Sequence, residues 1–182
     1  MSFSIDSLKD PSKTYEKPKA GNFSRESVES FAEGIAMKIG YKSGAHLYDI
    51  VENKLGAKLH FVEDLENGLN GATIIHDATN LDIAIPRKNG SFRANYTIAH
   101  ELGHYFLHSQ QGNTPIIAQD NQLPDKAEAE ANWFAAAFLM PKQAFTEKWE
   151  ECLGVSELVS RHFLVSPLAT KIRAESLGLI NE

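Results

Sequence analysis

Tyr96-Thr97-Ile98-Ala99-His100-Glu101-Leu102-Gly103-His104-Tyr105-Phe106-Leu107 is an apolar run interrupted by two histidines and one glutamate. Its composition predicts a buried helix, part of a helical stretch from about Phe92 to Ser109. Side chains four apart on a helix share one face, so His100 and His104 can converge on a single cation. Polar groups on a buried helix are costly unless something holds them, which favours a metal over a surface helix with solvated His and Glu. Neutral imidazole is a good zinc donor, and a catalytic zinc takes three protein ligands and a water. In the pattern HExxH the glutamate follows the first histidine and stands beside the metal, able to take a proton from the activated water. His100 and His104 are the expected zinc ligands, and Glu101 the expected general base and later proton donor.

The third ligand has to come from another segment. His108 continues the i, i+4 series, but two turns separate it from His100, too far for one tetrahedral ion. The long metzincin pattern also needs Gly and His three and six residues after His104, where this chain has Leu107 and Gln110. His108 is read as capping the helix or contacting a ligand. The helix expected from Asp125 to Met140 offers Glu128-Ala129-Glu130-Ala131-Asn132. Glu128 and Asn132 share a face, whereas Glu130 lies on roughly the opposite side. Glu128 is the expected third ligand, with Glu130 as the alternative and a helix-start carboxylate favoured by the macrodipole as the plain reading. Asn132 is placed to hydrogen-bond a ligand imidazole. The alanines of this helix permit close packing against the HELGH helix.

Working outward, residues 1–22 are polar and without periodicity, and are expected as a flexible tail. Ser24 is a good N-cap for a helix carrying Val28, Phe31, Ile35 and Ile39 at helical spacing, with Gly40 as its stop. A second helix is expected from about Ala45 to Leu55, ended by Gly56. Three strand-like segments follow, Lys58–Val62, Ala72–His76 and Leu81–Ile85, closed by Pro86. Residues 110–124 are polar and long enough to be a functional loop. Two or three helices finish the chain, and about 142–182 form a C-terminal helical cap. The reading is one domain over 23–182 of class α+β: mostly helical and zincin-like, with a small, mostly antiparallel sheet before the active-site helix.

The 182 residues suit such a domain, with 42% hydrophobic and 23% charged residues pointing to a soluble protein with a real core. A net charge of −6 argues against general affinity for phosphate backbones. One cysteine, Cys152, cannot form an internal disulfide, which fits a reducing compartment; its plain reading is a buried thiol. No secretory signal and no membrane-crossing stretch is read, so the expected location is the cytoplasm.

Two segments, Thr97-Ile-Ala-His-Glu-Leu-Gly-His-Tyr-Phe-Leu-His108 and Glu128-Ala-Glu-Ala-Asn-Trp-Phe-Ala-Ala-Ala-Phe-Leu-Met-Pro141, resemble the ImmA/IrrE family of metallo-endopeptidases. The resemblance extends over about residues 24–182. It implies zinc held by the two histidines and a glutamate, with the HELGH glutamate as catalytic base. It also implies a protein substrate, a helix-turn-helix repressor encoded by a phage, mobile element or stress operon. Some members carry their own helix-turn-helix domain; the first 22 residues here are too short and polar for one, so a separate repressor partner is expected. An oxyanion donor is also expected, with Tyr96 and Tyr105 near in sequence. Two other readings stand beside this one. The domain could sequester a repressor or sense a ligand without turnover, zinc being structural. Residues 155–180 could instead form a DNA-binding helix-turn-helix, against the plainer reading of a packed cap.

Overall fold

Ser24 starts the first helix. Its hydroxyl accepts the backbone N–H of Ser27 at 3.2 Å, and helix α1 runs from Arg25 to Ile39, ending at Gly40. The computed structural model describes residues 1–119 and 125–181. Helix α2 spans Tyr48–Leu55. Strands β1 (Ala57–Val62), β2 (Ala72–Asp77), β3 (Asn80–Pro86) and β4 (Ile116–Gln119) form one sheet in the order β1-β3-β2-β4. β2 pairs antiparallel with β3 and β4, while β1 runs parallel to β3. The class is α+β as expected, and β4 is an addition: it lies inside the stretch expected as the polar connection 110–124. Residues 120–124 of that stretch lie outside the described residues.

Both faces of the sheet are covered. Ile75, Leu81, Ile83 and Ile85 join the main core with the helices, whereas Ala72, Ile74 and Ala84 pack with Ile5, Leu65 and Leu69 on the other face. Covering that second face is the work of residues 1–22, for which composition alone predicts a flexible tail. Here they carry a helical turn, Ile5–Leu8, with Ile5 buried. Glu16 exchanges backbone hydrogen bonds with Pro115 and Ile117 at 3.0 Å each, beside β4. The Tyr15 hydroxyl lies 2.5 Å from His76 Nδ1, and His76 and His60 both reach Asp82, at 3.0 and 2.6 Å.

Helix α3 spans Gly90–Gly103 and continues through a wider, π-type coil, His104–His108. Its far end is tied to the β2–β3 turn, because the Tyr105 hydroxyl donates to the Ala78 carbonyl at 2.7 Å. Helix α4, Asp125–Leu139, packs against both α1 and α3. Phe106, Phe134, Phe138 and Tyr41 stack in a column along it, with successive ring centroids 5.6, 5.7 and 5.0 Å apart. Helices α5 (Lys142–Glu151), α6 (Ser156–Phe163) and α7 (Pro167–Ser176) complete the body. Arg173 of α7 is buried, its Nε donating to the Met140 carbonyl at 3.0 Å and its Nη1 meeting Glu29 of α1 at 3.0 Å. Arg173, within the stretch that could have formed a DNA-binding helix-turn-helix, is thus committed to holding α7 against α1 and the end of α4. No helix among the described residues is long and apolar enough to cross a membrane.

The α3–α4 contact is closest at Gly103. A Cβ placed there would stand 3.0 Å from Ala131 Cα and 3.1 Å from its carbonyl oxygen. Gly34, in the interior of α1, has no atom within 4 Å of an equivalent Cβ. Opposite outcomes follow. Gly103→Leu overpacks the crossing and should lower stability in denaturant unfolding by about 1–3 kcal/mol. Gly34→Ala should raise it by up to about 1 kcal/mol through helix propensity and a more restricted unfolded chain.

Candidate metal centre

The α3–α4 crossing brings three donors together. His100 of α3, His104 at the start of its π-type continuation, and Glu128, one turn into α4, place a ligand atom each within 4.8 Å of one another. His100 Nε2 lies 3.2 Å from Glu128 Oε2, and His104 Nε2 lies 3.1 Å from Glu128 Oε1. Donors about 2.0–2.1 Å from a tetrahedral zinc stand about 3.3–3.4 Å from one another, so these separations fit one ion with little adjustment. Two imidazoles and a carboxylate are also a donor set that zinc accepts.

Protonation favours the same use. Burial pushes the His104 imidazole down to about 3, against the opposing pull of Glu128, so the ring is neutral. Burial raises the Glu128 carboxyl, but the His100 and His104 rings within 3.2 Å outweigh it and bring it down to about 2, leaving a carboxylate. Glu101, next to His100 in the chain, is fully buried. Asn132, one turn after Glu128, has its Oδ1 2.9 Å from His100 Nδ1. That contact leaves a proton on His100 Nδ1 and a lone pair on Nε2, facing Glu128.

The two tyrosines near the motif part company. Tyr105 is occupied with Ala78 on the hairpin side. Tyr96 has its hydroxyl 3.5 Å from the Asn132 carbonyl and Oδ1, and burial raises it to about 12, so it remains a protonated donor.

Two residues outside the trio hold its rear. His108 Nδ1 lies 2.8 Å from His104 Nδ1, and His108 Nε2 lies 2.9 Å from Glu130 Oε2. Glu130 lies away from the trio, and it is fully buried, accepting the backbone N–H of Gly21 at 2.9 Å and of Phe23 at 3.3 Å. The sequence signal for this pairing was the doubled spacing, a third histidine at i+4 and a second carboxylate at i+2. It was legible only to a reading that allowed two sites for two carboxylates.

A neutral, buried His104 ties stability to pH in the metal-free protein. Its folded value is depressed, so the unfolded chain binds a proton between about pH 6.5 and 3 that the folded chain does not. His108 is lowered in the same sense, burial being the main cause and Glu130 opposing it. Stability should therefore be full above about pH 6.5 and fall on acidification, by about 1.4 kcal/mol per pH unit for each such histidine. Urea titrations from pH 7 to 4 should show a shallower fall for His104→Leu, by about one proton's worth.

The wider kinship agrees with this chemistry. Metallopeptidase ImmA of Bacillus subtilis (strain 168) is 28% identical over 117 residues, covering 63% of this chain and 69% of that protein. A Mycobacterium tuberculosis transcriptional regulator of known structure shares the fold, with a TM-score of 0.59 at 20% identity over 82% of this chain. The chain spans about half of that regulator's length, 47%. The sequence profile of the IrrE N-terminal-like domain, the M78 peptidase family, matches residues 53–175, which contain the helix of the two histidines and that of the glutamate. This chain belongs to the M78 family of metallopeptidases, the family of ImmA and the IrrE N-terminal-like domain.

Proposed function

We propose that this chain is a zinc-dependent endopeptidase that cleaves a helix-turn-helix transcriptional repressor. In this reading His100, His104 and Glu128 hold the metal and Glu101 is the general base. The observation that carries it is the meeting of three donors from two helices within 4.8 Å, beside a buried carboxylate on the first histidine's neighbour. Bound zinc would supply Lewis acidity, polarising a carbonyl oxygen and making a water acidic near neutral pH. Glu101 takes the proton of the attacking water, carries it on its carboxylate and returns it to the departing amine nitrogen, so no net proton is consumed. Asn132 keeps the His100 ring in the orientation and tautomer that ligation needs.

The repressor as substrate rests on the family resemblance of the two motif segments, as does the setting of a phage, mobile element or stress operon. A single cysteine fits the cytoplasm as its location. Residues 23–182 serve as one catalytic unit in this reading, with 142–182 as its helical cap.

The test pairs the purified protein with the repressor encoded nearest to its gene. Wild-type protein loaded with zinc should produce discrete fragments, and Glu101→Gln should bind zinc at unit stoichiometry, unfold at the wild-type temperature and cut at least ~10³-fold more slowly. Fragments from Glu101→Gln at the wild-type rate would remove the assigned base. Stable binding of the repressor by wild-type protein without cleavage would mark a sequestering module instead.

A further inference from the structure

Glu128 and Glu130 stand two residues apart on α4 and meet different histidines. The contacts form one string: Glu128 to His104 at 3.1 Å, His104 to His108 at 2.8 Å, and His108 to Glu130 at 2.9 Å. The middle contact joins two Nδ1 atoms, so one ring must donate there and the other accept. Three contacts are therefore served by two ring protons when both imidazoles are neutral. One contact is left without a proton.

The far end decides which. Glu130 is fully buried, and its two oxygens already accept the N–H groups of Gly21 and Phe23. A carboxylate anchored in this way offers His108 only lone pairs, so His108 Nε2 carries the proton. Its Nδ1 is then bare and accepts from Nδ1–H of His104. His104 in turn has a bare Nε2, turned to Glu128 and ready for a cation. Without Glu130, the Glu128 carboxylate draws the His104 proton to Nε2, and a metal has to displace it.

We infer that Glu130 and His108 are positioning residues that fix His104 as the tautomer protonated on Nδ1, with the N-terminal segment at Gly21 and Phe23 holding Glu130 in place. The inference rests on His104 being a zinc ligand, as in the function proposed above. Neither residue touches the metal; they act through His104. They also give residues 21–23, outside the motif helices, a direct bearing on zinc affinity.

Zinc affinity by competition with a chromophoric chelator, and long-range ¹H–¹⁵N spectra of the zinc-free protein, test this together. In the wild type, His108 should carry its proton on Nε2 and His104 on Nδ1. In Glu130→Gln a neutral amide oxygen replaces the carboxylate oxygen that serves both Gly21 and His108, so the hold on the His108 Nε2 proton weakens and Glu128 competes for the string's protons. Zinc affinity should fall about 10–100-fold. His108→Leu, which removes the acceptor for His104, should fall in the same range and serves if Glu130→Gln does not fold. A wild-type His108 protonated on Nδ1, or folded variants holding zinc within about twofold of wild type, would overturn the inference alone. A wild type that binds no zinc would overturn the assigned centre, and this inference with it.

Discussion

Everything in the centre depends on how closely α3 and α4 approach. Gly103 lies against Ala131 with no room for a larger side chain, and this contact sits between His100 and His104 on one side and Glu128 and Asn132 on the other. The two free positions of HExxH therefore have structural work: Leu102 is fully buried in the core, and Gly103 sets the distance between the helices. A motif described by its three polar residues omits the one that lets a second helix reach them.

Burial gives those polar groups their character. His104 and Glu130 are fully buried, and His100 and His108 nearly so. Desolvation pushes His104 and His108 down, and neutral imidazoles can share protons along a string or give lone pairs to a cation. The same desolvation would make the carboxylates costly if they stood alone. Glu128 keeps a fifth of its side chain exposed to solvent, and Glu130 is offset by His108 and two backbone amides. Structure and chemistry are served by the same contacts here, so the site cannot be loosened at one end without consequence at the other.

The sequence showed the parts of this arrangement that rest on local rules. Ser24 and Gly40 bound α1 because capping is decided within one turn. The i, i+4 spacing put His100 with His104 and Glu128 with Asn132 on shared faces. What local rules do not contain is partnership across elements. β4 has four residues inside a polar stretch, too few for a period to show, and it exists because β2 offers an edge. Residues 1–22 are polar enough for a tail by composition, yet Ile5, with Phe3, Leu8 and Tyr15, joins Leu65 and Leu69 over the sheet face that carries Ile74. Spacing sets Glu130 on roughly the opposite side of α4 from Glu128, yet it meets His108 on the continuation of the helix whose His104 meets Glu128, a partnership that spacing alone does not contain.

That placement bears on how far the family likeness reaches. The matched span begins at residue 53, so α1 and residues 21–23 lie before it. Yet α1 packs along α4, Glu29 of α1 holds Arg173 of α7, and Gly21 and Phe23 supply the amides that anchor Glu130. The residues most directly around His100, His104 and Glu128 belong to the shared domain, while the backbone amides that hold Glu130 come from a segment outside the match. A change in that segment can reach the centre without altering any residue of either motif. In this chain the path is short: one carboxylate and one imidazole separate the backbone of Gly21 from His104.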